Sequence, residues 1–574
     1  MKKLFSALFL LFTVVVFAQR PLFDYNRSLG KGVNLGNVFE APREGEWGNP
    51  FKDDFFIKIK QAGFNHVRLP IRWDTPERCL QSPPYTITPA FMSRIQYVVD
   101  LALTQGLKVI VNMHHHDEIF TNPNGVKPRF LAQWTQISSH FKDYSRDLMF
   151  EVMNEPHDQL TPELWNVFFA DALTEIRKTN PDRVVLMGVA EFGGLSGLGK
   201  LVPPADPNVI VSIHYYNPFQ FTHQGADWVG SQSLEWLGTK WNDLEAERQV
   251  MRQEFASAQN FSQTYNIPIH IGEFGAFDRA DMASRVRWST FLARYLESID
   301  FSWAYWEWSA GFGVYNPTTG HYRTELLDAL ISNPLPEPTK TIATVLFEGN
   351  FTNTSGWNFL TNSGAIGSLA ANNGQMNVNI TRAGSEGWHA QLVRNGFNIV
   401  KNKMYRLSFE AKAANKNALT FYMGKASDPW NSYSGYNGIS LSENFAEYST
   451  LFTMNSATDP MARMVFDLGT QSGLIEFRKI KLEEITLDFG TSQKEIEDID
   501  FHIYPNPASD ILNVEGLPGK EGQISIFDIR GRLVLKRAYH SNAIQLDIRN
   551  VLPGLYSLSV ETEGGSYAKG VVVE

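Results

Sequence analysis

Phe150-Glu151-Val152-Met153-Asn154-Glu155-Pro156 is an apolar run that stops abruptly at Asn-Glu-Pro. Pro156 cannot donate to a sheet ladder and biases the residue before it away from helix, so the run reads as a short buried strand presenting Asn154 and Glu155 at its C-terminal end. A second stretch, Ile267-Pro268-Ile269-His270-Ile271-Gly272-Glu273-Phe274-Gly275, is built the same way and also ends in a glutamate. Alone, either glutamate is more often structural, a helix cap for instance, than catalytic. Two carboxylates on the ends of two parallel strands meet the demand of glycoside hydrolysis, in which one group protonates the leaving oxygen and the other attacks the sugar or activates water.

Working outward, strand-like runs alternate with helical stretches from about Phe23 to Asn333, the signature of βα units and a parallel sheet. Eight runs stand out: Gly32–Leu35, His66–Leu69, Lys108–Met113, Met149–Met153, Val184–Met187, Ile210–Ile213, Pro268–Ile271 and Ser302–Tyr305. Helical periodicity lies between them, as in Ile95–Leu103, Trp165–Ile176, Leu244–Tyr265 and Arg285–Leu296. Eight such units in about 310 residues predict an α/β TIM (β/α)8 barrel, whose functional face is the C-terminal end of the strands. Nearly every run is followed by polar or aromatic residues there: Asn37 and Glu40, Arg68 near the second end, His114, His115 and His116, Asn154 and Glu155, His214, Tyr215 and Tyr216, Glu273, and Trp306 and Glu307. Three consecutive histidines alternate faces on an extended chain, so a metal site at His114–His116 is not expected. By the same alternation Trp306 and Trp308 face one way and Trp303 and Tyr305 the other, and one of these sets is packing.

The motifs GVNLGNVFEAP, HVRLPIRW, NMHHHDE, FEVMNEPH, SIHYYNPFQFTHQGADW, IGEFGAF and WAYWEW, in this order, resemble glycoside hydrolase family 5, the retaining cellulase and mannanase group. The resemblance implies Glu155 as general acid/base and Glu273 as nucleophile. It implies that Arg68 and Tyr216 hold the nucleophile ionised, that Asn154 binds the sugar 2-hydroxyl and that His214 contacts the acid/base. His114 and His115 would line the site, Trp306 would be its stacking floor, and Asn37, Glu40 and Trp228 would be further substrate contacts. A cation beside Glu273 is expected to lower its pKa while the acid keeps a raised one. The retaining separation of the two carboxyls is expected. No organic cofactor or catalytic metal is implied.

The remaining chain changes character. Residues 1–18 read as a secretory signal, with Lys2 and Lys3 before an apolar core too short for a comfortable membrane span. With the barrel at 19–333, a proline-rich linker follows at 334–344. Residues 345–488 carry short strands between Gly, Asn and Ser turns and predict a β-sandwich. FEGNFTNTSGW and GWHAQL resemble carbohydrate-binding modules of the family four and nine jelly-roll type. Trp388, Gln391, Trp430, Tyr433 and Tyr436 are its candidate sugar contacts, although Trp388 reads equally as core. A structural calcium is a further expectation there, with Glu348 as a possible ligand. A charged linker at 489–499, with Lys494, Glu495, Glu497 and Asp498, precedes a second small sandwich at 500–574. FHIYPNPASDILNVEG, ISIFDIRGRLV and LPGLYSLSVE resemble the C-terminal sorting domain of the type IX secretion system, whose pattern ends in a basic residue where this chain ends Val573-Glu574.

Composition excludes some partners. The formal charge is −10 and no basic patch stands out, so nucleic acid is not expected. The single Cys79 allows no intramolecular disulfide. The expected partners are a β-glucan or mannan and the type IX secretion machinery, with no stable membrane span and a secreted or cell-surface location. The expected activity is retaining endo-β-1,4-glucanase. Mannan, mixed glucan/mannan or xyloglucan specificity, and a non-catalytic glycan-binding adhesin, stay open.

Overall fold

The computed structural model describes residues 21–415, 417–489, 501–517, 521–528, 533–562 and 565–574. The expected signal at 1–18 and all but Phe489 of the charged linker lie outside the described residues. Among the described residues no helix is long and apolar enough to cross a membrane.

Eight parallel strands close into a barrel in sequence order: β1 (Lys31–Asn34), β2 (His66–Leu69), β3 (Lys108–Asn112), β4 (Leu148–Glu151), β5 (Val185–Gly188), β6 (Val209–His214), β7 (Ile269–Glu273) and β8 (Ser302–Tyr305). Strand β1 closes the ring onto β8 through Gly32 opposite Ala304. The crossover helices begin where the sequence signals them. Proline opens the helices at Pro89, Pro123 and Pro162, where its missing N–H costs nothing. Side-chain caps from Asn122, Thr161 and Asp281 accept the free amides of Gly125, Leu164 and Ser284. Between β5 and β6 the crossover carries only a six-residue 3-10 turn, Leu195–Lys200, in place of a long helix.

The barrel interior is layered. Its floor is an apolar plug of Ile110, Met149, Leu186 and Ile210 with Leu29 of the N-terminal helix Pro21–Leu29. Beside the plug His66 and His270 lie fully buried, ring to ring at 5.2 Å. Above them comes a polar layer of Asn34, Arg68, Asn112, Glu151 and Ser212, all buried. A single apolar stripe cannot be read on these strands because their outward side chains pack under the helices while their inward ones change from apolar in the plug to polar above it.

The middle module, from Thr339 onward, is a compact unit of its own. Its sheets order as Ile366–Asn372, Gln375–Arg382, Gly473–Asp488, Met404–Ala413, Ala446–Thr453 and as Asn358–Thr361, Ala390–Ile399, Asp459–Asp467, Ala418–Gly424, Asn437–Ser440. Its first strand is Lys340–Glu348, so five residues read as linker are strand. Their pairing with Glu484–Asp488 makes them strand although the segment has no clear alternation and stays exposed. The C-terminal module pairs a three-stranded sheet with a four-stranded one around Leu512, Val514, Ile524, Ile526, Leu558 and Val560.

A Cβ built on Gly32 stands 2.1 Å from Nε2 of the buried His66. Gly32→Ala should therefore destabilise the barrel by about 1–3 kcal/mol, the cost of overpacking. Denaturant unfolding followed by barrel tryptophan fluorescence tests this, and an unchanged midpoint would refute the close approach.

Candidate active site

The polar layer converges on one cation. Arg68 leaves β2 and is fully buried. Its Nη1 donates to Glu273 Oε1 at 2.6 Å and to Asn34 Oδ1 at 2.9 Å. Its Nη2 donates to Asn154 Oδ1 at 2.8 Å and Glu151 Oε1 at 3.2 Å, and its Nε to Glu151 Oε2. All five guanidinium protons thus have acceptors. Tyr216 donates to the other oxygen of Glu273 at 3.0 Å. A register shift between Ile213 and His214 sets His214 opposite Glu273, the kind of re-aiming a bulge provides. His214 Nδ1 lies 2.7 Å from Glu155 Oε1 and 3.6 Å from Glu273 Oε2. One oxygen of each glutamate and one His214 nitrogen all lie within 4.8 Å of one another. Glu273 is nearly buried, with a side chain 6% exposed, and Glu155 stands over it at 28%.

The electrostatics differ from the sequence expectation. Burial raises the Glu273 carboxyl, and His214 and Arg68, which oppose burial, do not overcome it. Burial also acts on Glu155, but the hydrogen bond and charge of His214 outweigh it and bring Glu155 below its ordinary value. His214 is raised in turn: burial opposes its charge, and Glu273 and Glu155 prevail. Arg68 does not set Glu273 low because burial, with the charge of Glu155 beside it, outweighs His214 and Arg68.

Of the other expected residues, Trp306 is half-buried at the mouth and lies parallel to His114, ring centroids 5.6 Å apart. His115 packs edge-on against His114 and Trp47. His116 is buried 4.0 Å from Asp74, so the three histidines do not converge. Trp303, Tyr305 and Trp308 are all core; Trp308 stacks on Tyr315 at 5.0 Å. Trp228 is exposed at the rim against Phe277.

Glu40 does not reach the cleft. It is buried, and its carboxylate accepts the amides of Val38 and Asn37, stapling the left-handed turn at Asn37. Burial lifts its pKa to about 8. Glu307 has the same structural role, capping the amides of Ser309, Ala310 and Phe312, with a pKa raised by burial to about 7. Sequence reasoning missed Glu151, Asn34 and Ser212. The available signal was Glu151 itself, a charge inside an apolar strand, which requires a buried partner.

On the middle module, cross-strand register lines up Gln391, Asp467 and Thr420, then Val393, Val465 and Tyr422, then Asn395, Arg463 and Gly424 on one outer face. Gln391 donates to Asp467 at 2.7 Å. Trp430 lies over the Arg463 guanidinium at 4.4 Å, and Tyr436 packs on Tyr422 at 4.8 Å. Trp388 is half exposed at the start of the Ala390–Ile399 strand, so it is not core. Tyr433 is turned away from this face: it packs on the module core and donates to Asp459 at 2.7 Å. Among the described residues no cluster of three His, Cys, Asp or Glu side chains gathers at Glu348.

Family comparison matches residues 28–311 to cellulase (glycosyl hydrolase family 5), 343–473 to a carbohydrate binding domain and 502–574 to a secretion system C-terminal sorting domain. Endoglucanase H of Acetivibrio thermocellus is 37% identical over 317 residues, covering 54% of this chain and 33% of that protein. The cellulase/esterase CelE of the same organism is 31% identical, over 55% of this chain and 42% of its own length. The chain thus spans less than half the length of these curated relatives. Thermotoga maritima Cel5A, solved with cellobiose and with mannotriose, is 47% identical, with a TM-score of 0.53 over 54% of this chain and 100% of that one.

Because His214 lowers both carboxyls, His214→Asn should raise both apparent pKa values. Titration of 13C-labelled glutamate carboxyls reads this directly, and unchanged or lowered midpoints would contradict the assignment.

Proposed function

This chain belongs to glycosyl hydrolase family 5, and from that premise we propose that it is a secreted endo-β-1,4-glycanase acting by double displacement with retention. The observation that carries the reading is the approach of Glu155 and Glu273, with oxygens within 4.8 Å. Retaining enzymes hold their carboxyls about 5–5.5 Å apart, whereas inverting ones leave roughly 6.5–9.5 Å for a water.

In this reading Glu273 attacks the anomeric carbon while Glu155 protonates the leaving oxygen. Glu155 then takes a proton from water, whose oxygen displaces Glu273 and frees the sugar. The roles require Glu273 ionised and Glu155 protonated at the moment of attack. A glycosidic oxygen that replaces His214 as the hydrogen-bond partner of Glu155 removes the contact that lowers the Glu155 carboxyl, and Arg68 and Tyr216 hold the charge on Glu273. Asn154 has its carbonyl oxygen fixed by Arg68, which leaves its amide protons for the sugar 2-hydroxyl. Proton and nucleophile both come from carboxylates, so the reaction draws on no cofactor.

Glucan is the first substrate of this reading, from the endoglucanase relatives. Mannan is the second, because the Thermotoga homologue was solved with mannotriose as well as cellobiose. A pure adhesin would have no use for the fully hydrogen-bonded Arg68 cluster. Residues 19–333 are assigned to the catalytic barrel. The middle module, starting at Lys340, is assigned to polysaccharide binding through the face of Gln391, Arg463, Trp430 and Tyr436, raising the local concentration of the barrel at its substrate. Residues 500–574 address the protein to type IX secretion, after export by residues 1–18.

Azide rescue separates the two glutamates by product. With an activated cellobioside, Glu155→Ala should yield the β-azide and Glu273→Ala the α-azide; the same anomer from both would sink the assignment. Trp430→Ala should weaken retention on insoluble cellulose in a pull-down, and undiminished retention would remove that face from the reading.

A further inference from the structure

The outer face of the middle module carries an apolar patch that the module core does not explain. Val393, Tyr422 and Val465, side by side on three neighbouring strands, are all buried and form a cluster apart from the core. The loop between the strands Ala418–Gly424 and Asn437–Ser440 folds over this patch and lays Tyr436 against Tyr422. One row along, the same loop lays Trp430 on Arg463. Trp430 takes a left-handed backbone, φ 56°, a region costly for so bulky a residue. Gly424, opposite Arg463 in the next strand, lets the loop close: a Cβ on it would stand 2.8 Å from the Asn431 carbonyl oxygen. Trp430 and Tyr436 both stay exposed, so the loop is a wall of aromatic rings rather than a part of the core.

Arg463 is the anomaly in this face. It is 6% exposed, and its Nε is buried with no hydrogen-bond partner. The acids of its own strand, Asp459–Asp467, are committed elsewhere. Asp459 accepts from the Tyr433 hydroxyl at 2.7 Å and from the Met461 amide at 2.8 Å, and Asp467 accepts from Gln391 at 2.7 Å. Among the described residues no carboxylate forms an ion pair with Arg463, and its guanidinium meets the ring of Trp430 instead. Arg68 in the barrel is the contrast, with an acceptor for every guanidinium proton. A cation taken out of water needs a partner, and the face of an aromatic ring offsets only part of that cost.

An oxyanion carried by the ligand supplies that partner, and the planar fork of a guanidinium matches a carboxylate in two parallel hydrogen bonds. We propose that this face takes an acidic β-1,4-linked polysaccharide, with Arg463 pairing the C6 carboxylate of a glucuronate while the sugar backbone lies along the aromatic wall. A glucuronate keeps the ring and linkage of a glucose and differs only at C6, so the wall that takes the one takes the other. Asp467 does not oppose this: it stands four residues along the strand from Arg463, about 13 Å at the rise of an extended chain. There, with Gln391, it offers acceptors and donors to sugar hydroxyls. This inference rests on the polysaccharide-binding reading of the face given above, and it names the class of polysaccharide.

The test is titration calorimetry on the full chain carrying Glu273→Gln, which stops turnover and leaves the middle module untouched. The probes are a β-1,4-linked glucuronic acid tetrasaccharide, its methyl ester and cellotetraose, which share a backbone and differ at C6. The acid should bind about tenfold tighter than its ester, the scale of one charge-assisted hydrogen-bonded pair. Adding Arg463→Met should abolish that preference and leave the affinities for the ester and for cellotetraose unchanged. Arg463→Lys, which keeps the charge and loses the fork, should retain only part of it. Equal affinity for acid and ester before any change at Arg463 would overturn the inference, as would a preference that survives Arg463→Met. If the two are equal and Trp430→Ala weakens both, the face is a neutral-glycan site and only the acidic class falls. If Trp430→Ala changes none of the three affinities, the polysaccharide-binding reading of the face falls, and this inference with it.

Discussion

The site depends on a single buried guanidinium with no free proton. Arg68 is bound by Asn34 of β1, Glu151 of β4, Asn154 just beyond β4 and Glu273 of β7. Four points around the barrel wall are thereby fixed to one planar group, whose fork geometry leaves little choice of orientation. Two carboxylates on one cation leave the cluster short of positive charge, and His214 sits where the deficit is felt, between Glu155 and Glu273. Such a cluster is weak evidence for stability, because desolvation offsets the attraction; breaking it by removing one partner costs roughly 3–5 kcal/mol. Its value is directional: Glu273 cannot rotate away from its place beside Arg68 without leaving a buried guanidinium proton without its acceptor.

The same arrangement explains why a carboxylate beside an arginine is not simply a strong acid here. Burial raises Glu273 and the charge of Glu155 adds to it, so His214 and Arg68 together do not bring it low. Burial raises the Glu155 carboxyl and the contact with His214 more than offsets it, so a ligand that displaced His214 would change the balance between the two glutamates. Long acidic side chains at two strand ends supply the parts, and the ligand sorts them.

Much of this was legible in the sequence because it is carried locally. Strand existence followed from apolar runs ended by Asn-Glu-Pro or by Glu273, and the barrel from eight such runs. Illegible were contacts across great separation: Arg68 and Glu151 are 83 residues apart, and Arg68 and Glu273 are 205. Glu40 looked like a cleft residue because it follows β1, but the turn at Asn37 draws its carboxylate back onto the chain's own amides. Tyr433 stood in an aromatic-rich loop with Trp430 and Tyr436, and only the loop's path shows that it alone turns inward. Trp308 shares alternation parity with Trp306, yet the chain turns after β8 and puts it in the core. Each miss is a case in which tertiary path decided what local pattern left open.

Backbone geometry sharpens the point. Among the described barrel residues, left-handed positions fall mostly on glycine, or on asparagine and aspartate such as Asn37, Asp243 and Asn266, which tolerate that region. Tyr85, Glu155, Glu191 and Phe192 do not belong to that tolerant set. Three of these four lie on the loops after β4 and β5. A fold selected for stability alone would place glycine or asparagine there. Strain concentrated in the loop that carries Glu155 and the loop that faces it persists because the surrounding packing and hydrogen bonds over-determine it. It fixes the backbone that presents Glu155 at the barrel mouth.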